Sequence, residues 1–197
     1  MFDVFDYPPI FLFTLSRHYA VNHIFNKLKT MATKRQVFYS FHYKPDCWRA
    51  AQVRNIGVVE GNKPAPDNEW EEITRAGDDA IKKWINDQMK YRSCTVVLVG
   101  SKTANRKWIN YEIVKSWNEG MGVVGIYIHG LKNSDGYISE KGENPFDYIT
   151  YGDSGKKLSA IVKCYNPSGN NSKERYDWIA RYLSDAVEEA IKIRENN

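Results

Sequence analysis

Glu112 is the side chain in this sequence best placed to do chemistry. It lies in the run Ser101 to Trp117, S-K-T-A-N-R-K-W-I-N-Y-E-I-V-K-S-W, where the spacing turns helical from Asn105 onward. Ile109, Ile113 and Trp117 fall at i, i+4 and i+8 and form the apolar stripe. At ~100° per residue, Glu112 lies roughly 60° to one side of that stripe, with Asn105, Trp108 and Ser116 within about 40° of it. That is the shoulder of the helix, neither core nor the middle of the wet face. A boundary glutamate beside an amphipathic tryptophan is ordinary; its place one turn into a helix that follows a buried strand points this one at a crevice. A carboxylate held in a water-poor crevice can stabilise a positive charge that develops beside it.

The elements that must hold it follow from pattern. Cys94 to Gly100, C-T-V-V-L-V-G, is an apolar run bounded by turn signals, as expected of a strand buried on both faces. Arg35 to Phe41 is β-branched and aromatic and reads as the first strand, ending in a His42 to Asp46 loop with a proline to stop it. A short helix over Trp48 to Val53 and a long irregular loop over Gly57 to Asn68 follow. Trp70 to Met89 resumes the helical period, with Ile81, Trp84, Ile85 and Met89 on one face. Gly120 and Gly122 end the central helix, and Val123 to His129 is another apolar strand. Leu131 to Asp153 is too long for an ordinary connection and reads as a packed surface excursion. Leu158 to Tyr165 reads as a last strand, and Asn171 or Ser172 can cap a final helix striped by Trp178/Ile179, Tyr182/Leu183, Ala186 and Ala190. Strands alternating with helices predict a three-layer α/β, flavodoxin-like fold: a central, mostly parallel sheet with helices on both faces. Residues 1–30 have no clear period and read as an N-terminal appendage to a domain over 31–197.

Composition narrows the class. The chain has 197 residues, enough for one domain with a sizeable core. A net charge of +4 with interleaved signs does not indicate nucleic acid as a partner. Three widely spaced cysteines (Cys47, Cys94, Cys164) and four unclustered histidines (His18, His23, His42, His129) predict no structural metal and a reduced, cytoplasmic setting. No apolar run approaches the ~20 residues that span a bilayer, and Asp3 and Asp6 stand where a signal peptide wants positive charge. Neither export nor membrane anchoring is expected. A flavodoxin's phosphate loop, a receiver's acceptor aspartate, G-x-G-x-x-G, G-x-x-x-x-G-K-[ST] and G-x-S-x-G are all missing.

Val37-Phe38-Tyr39-Ser40-Phe41 followed by Asp46 resembles the opening F-[IV]-S-[YF]-x-x-x-x-D of Toll/interleukin-1 receptor (TIR) domains. Trp108-x-x-x-Glu112 resembles the W-x-x-x-E that carries the glutamate of NAD-consuming TIR enzymes. The strings at 38–43, Val53-Arg54-Asn55, 97–101, 105–108, 111–113 and 144–148 are similar to the bacterial TIR-like proteins of the Thoeris anti-phage system, so the resemblance covers about 34–150.

That resemblance implies a TIR-like fold and an NAD nucleosidase or ADP-ribosyl cyclase that cleaves the nicotinamide–ribose bond and cyclises ADP-ribose into a signalling nucleotide. NAD is then substrate, with no cofactor beside it. An effector protein activated by the product is the implied partner, and a homo-oligomer a candidate assembly. Glu112 would be catalytic, which suits NAD because its pyridinium leaves as neutral nicotinamide. Phe41 could stack on nicotinamide or simply pack in the core; Ser40 and His42 could hydrogen-bond ribose or phosphate, His42 being equally a solvated loop residue. Ser101 and Asn105 could bind phosphate or ribose near the helix start, Asn105 being equally an N-cap. Trp108 could wall the pocket or cover the core. Asp46 is expected to order its loop, and Asp147 and Tyr148 to belong to a closing loop. Two rivals predict other outcomes: a non-catalytic TIR-like adaptor, and a nucleotide-sensing module that binds without turnover.

Overall fold

The fastest way to bury Cys94–Val99 is to place it between two other strands, and that is where it lies: all six residues are buried in β3. The computed structural model describes residues 34–62, 72–152 and 155–197, and Lys34–Asn197 make up one compact unit. Its elements run β1 (Gln36–Phe41), α1 (Tyr43–Asn55), β2 (Glu60–Gly61), α2 (Asp78–Met89), β3 (Cys94–Val99), α3 (Lys107–Asn118), β4 (Gly122–Tyr127), β5 (Thr150–Tyr151), β6 (Lys156–Lys157), β7 (Cys164–Tyr165) and α4 (Ser172–Glu195). The five-stranded sheet has the order β2-β1-β3-β4-β7 and every pairing in it is parallel. This is the flavodoxin-like arrangement, in which the chain reverses its direction of travel across the sheet between β1 and β3. β5 and β6 form a separate antiparallel pair.

Alternation along each strand sorts side chains between two layers. Val37 and Tyr39 of β1 join Val96 and Leu98 of β3 in a core with Ala50 and Val53 of α1 and Ile179, Leu183, Ala186 and Val187 of α4. On the other face, Val97, Val99, Val123 and Tyr127 pack with Ile109, Ile113 and Trp117 of α3. Phe38 packs with Ile81, Ile85 and Met89 of α2. Ser40, two residues beyond Phe38, therefore faces the α2–α3 side. α4 is capped as its sequence suggests: Asn171 accepts from the Glu174 amide at 3.0 Å, while Glu174 accepts from the Asn170 amide at 2.8 Å.

Four local expectations change. The His42–Asp46 stretch is not a loop, because α1 begins at Tyr43 and Pro45 sits in its first turn, where a missing N–H costs nothing. The 70–89 helix is broken at Gly77, whose φ of 93° only glycine adopts readily, and α2 starts at Asp78. Leu158–Tyr165 is mostly not a strand. Leu158–Ala160 form a 3₁₀ turn, Ile161 and Val162 donate back to the Leu158 carbonyl, and only Cys164–Tyr165 pair with β4. Part of the 57–68 loop is an edge strand, since Glu60 and Gly61 pair with Gln36 and Val37. The reading of residues 1–30 as an appendage, and of 63–71 as loop and helix start, lies outside the described residues. No helix among the described residues is long and apolar enough to cross a membrane.

Candidate functional site

The site grows out of the reversal point between β1 and β3. β1 ends in Ser40-Phe41 and leads through His42 into α1; β3 ends in Val99-Gly100 and leads through the 101–106 turn into α3. Thr103, fully buried, staples that turn, accepting from the Gly100 amide at 2.9 Å. Asn105 takes a left-handed φ of 56°, and the N-cap is Arg106, so Asn105 neither caps nor starts the helix. Gly100 is enclosed: a Cβ there would meet the Asp46 carboxylate, and one on Gly142 would meet the Gly100 carbonyl. The excursion after β4 thus lies directly against the end of β3.

α3 is clamped to the sheet beside the glutamate. Thr95 and Ser116 share a buried hydroxyl contact of 2.6 Å, and Ser116 donates to the Glu112 carbonyl, also at 2.6 Å. Glu112 is only 8% exposed, buried where the sequence placed it on a half-wet shoulder. Its Oε2 accepts from Ser40 Oγ at 2.5 Å. None of the described lysines or arginines ion-pairs with it. Burial pushes its pKa up to about 8, against a smaller lowering by the Ser40 hydrogen bond. That shift favours the protonated carboxyl at neutral pH.

Above Glu112 opens a cleft of about 1450 Å³, with Phe41, His42, Ser101, Asn105 and Trp108 in its wall. Five of the expected six binding residues thus share one cavity. Ser40 is not in that wall: it is 1% exposed, and its hydroxyl donates to Glu112. Phe41 and Trp108 each face both the cleft and the core. Phe41 lines the cleft while packing on the β1/α1/α4 core. Trp108 lines it while packing on the α2 cluster, edge-on to Tyr111 at 6.1 Å. His42 is part-buried, its Nδ1 has no hydrogen-bond partner among the described residues, and burial followed by the charges of Arg106 and Lys102 lowers its pKa, so it is neutral at pH 7. Among the described residues no group of three His, Cys, Asp or Glu side chains converges.

Sequence reasoning missed the cations of the rim, Lys44, Arg75, Lys102, Arg106 and Lys107, and the second acid, Glu143. Their signal was position: Lys44 and the 102–107 group directly follow the two strand ends. Glu143 comes from the excursion and accepts from Tyr148 Oη at 2.5 Å; Asp147 is exposed on the 3₁₀ turn Pro145–Tyr148 that carries this tyrosine. Asp46 orders structure, buried in α1 and paired with Arg49 at 3.2 Å. Arg49 in turn donates to the carbonyls of Pro45, Leu131 and Tyr137. Arg54 supports the β1–β2 edge through the Asn62 carbonyl at 2.7 Å, while Asn62 accepts from the Tyr39 amide.

A parallel flavodoxin-like sheet with a buried glutamate on the helix after its central strand is consistent with a TIR-like α/β domain. Residues 38–133 match the family model described as Thoeris protein ThsB, TIR-like domain. The chain is 40% identical over 165 residues, 80% of its own length and 84% of the relative's, to a protein of Bacillus cereus (strain MSX-D12) named "Putative cyclic ADP-D-ribose synthase ThsB1". The chain belongs to the Thoeris ThsB family of TIR-like proteins.

Proposed function

We propose that the protein cleaves the nicotinamide–ribose bond of NAD and closes the ADP-ribose onto itself as a cyclic signalling nucleotide, which activates an effector protein in anti-phage defence. The observation that carries this reading is the Glu112 carboxyl, buried in the floor of a large cleft at the sheet's reversal point and oriented by Ser40. The name of the Bacillus cereus relative supports it. As the C1–N bond breaks, its electron pair neutralises the pyridinium nitrogen, so nicotinamide leaves without a proton. The positive charge moves to the ribosyl C1–O4 unit, beside Glu112. A cation in that position favours the ionised carboxylate, and the dry floor that raises the resting pKa also strengthens the attraction. Capture of C1 by a hydroxyl or ring nitrogen of the same nucleotide completes the cycle, the nucleophile's proton passing to solvent.

The test is purified protein incubated with NAD and followed by mass spectrometry for nicotinamide and cyclic ADP-ribose species. Glu112→Gln and Glu112→Ala should lower nicotinamide release by ~10²-fold or more, the usual loss when one preorganised electrostatic contact is removed. Equal traces for wild type and both variants would overturn the assignment.

A further inference from the structure

The cleft is unequally charged. Its floor holds one buried carboxyl, and its mouth gathers five Lys or Arg side chains against one exposed acid, Glu143, in a chain whose net charge is only +4. Lys107 is already committed, to Asp78 and to the face of Trp108, with Nζ 4.7 Å from the ring centre. Lys102 and Arg106 are not so occupied. Both are exposed, and they belong to the stapled turn, so their backbone is fixed relative to Glu112 by Thr103 below and α3 beyond. The Arg106 Nε donates to the Lys102 carbonyl at 2.8 Å, which holds the guanidinium stem; its terminal nitrogens have no protein partner among the described residues. A guanidinium held in that way presents the fork that suits phosphate oxygens.

We propose that Lys102 and Arg106 bind the diphosphate of a dinucleotide and thereby set its polarity in the cleft, with the cationic nicotinamide riboside end inward at Glu112. The inference rests on the reading of the cleft as an NAD site. A ligand with a cation at one end and a diphosphate in the middle matches the floor and the rim together. His42 in the same wall has its pKa lowered, by burial first and then by Arg106 and Lys102, so it adds no charge to theirs at neutral pH. At about 1450 Å³ the cleft also exceeds the ~300–1000 Å³ of a site for one drug-sized molecule, leaving room for the second nucleoside.

The experiment has two arms, each run on wild type, Lys102→Ala/Arg106→Ala and the charge-keeping Arg106→Lys, with circular dichroism confirming the fold. Calorimetry with ADP-ribose reads the rim without turnover. The double variant should bind at least ~10-fold more weakly, with a shallower dependence on salt, and Arg106→Lys should lie between. Steady-state kinetics should show KM for NAD raised ~10-fold or more, kcat within ~3-fold, and the preference for NAD over nicotinamide riboside reduced correspondingly. Unchanged ADP-ribose affinity and unchanged KM in the double variant would overturn the inference while leaving NAD cleavage standing. Failure of wild type to bind ADP-ribose at all overturns it too. Wild type that binds ADP-ribose through these two residues yet releases no nicotinamide supports the diphosphate site and refutes the cleavage reading.

Discussion

At the scale of single residues, the burial of Glu112, tempered by its Ser40 hydrogen bond, sets how the site responds to pH. With a pKa of about 8 in the folded protein against an ordinary 4.5, Glu112 keeps a proton between those values that the unfolded chain gives up. The native state therefore loses stability as pH rises across that window, by up to ~5 kcal/mol. Glu112→Gln should abolish that slope and melt higher than wild type at pH 8, as urea denaturation at pH 5 and pH 8 would show. On the proposed mechanism activity has the opposite sign, because the ionised form would stabilise the ribosyl cation. kcat/KM for NAD should climb with pH to a plateau above about pH 8. Ser40→Ala removes the hydrogen bond that lowers the pKa, so this limb should move to higher pH and kcat/KM at pH 7 should fall by ~10-fold for each unit of displacement. A pH–rate profile with an unmoved limb would show that Ser40 does not tune the glutamate.

Elements carry the next set of consequences. Tyr91, in the turn between α2 and β3, is 96% exposed at a φ of 61°, so it holds a left-handed backbone with no packing in return. Tyr91→Gly should stabilise by ~1 kcal/mol and raise Tm by ~2–4 °C, read by differential scanning calorimetry. Arg49 has the reverse character: it is 4% exposed, pairs with Asp46 and gathers three carbonyls from α1 and the excursion. Arg49→Met leaves Asp46 buried and alone, and should cost ~3–5 kcal/mol in chemical denaturation. The same elements show what pattern makes legible. The central helix was readable because Ile109, Ile113 and Trp117 repeat at its own period, and β3 because nothing polar but Thr95 interrupts it. The start of α1 was not, since a proline that stops a strand and one that fits a helix's first turn look alike in sequence. Leu158 to Tyr165 was misread because Leu158 and Val162 are apolar for packing beneath α3's cluster, not for pairing in a sheet. Glu112 and the Trp108 wall were visible through spacing; the rim was not, because five separate surface cations acquire meaning only when the fold gathers them at one mouth.

For the whole molecule, the sheet is strong at its centre and thin at its margins. β3 pairs along its length with both β1 and β4, whereas β2 and β7 each contribute two paired residues. Amide exchange should be slowest in Cys94–Val99 and Val123–Ile126, approaching the global unfolding free energy, and much faster in Glu60–Gly61 and Cys164–Tyr165. Uniform protection across all five strands would contradict this. Beyond the sheet, the crown of the excursion closes on itself: the Asn133 side chain accepts from the amides of Asp135 at 3.1 Å and Tyr137 at 2.8 Å, and the Asn133 amide donates to the Tyr137 carbonyl. Arg49 holds the two ends of this arch through the carbonyls of Leu131 and Tyr137, and Ser134 at its summit is exposed and lies outside the cleft lining. After Cys47→Ser removes the exposed native thiol, Ser134→Cys offers a labelling handle at which a fluorophore could report on tumbling or assembly while the chemistry proceeds undisturbed.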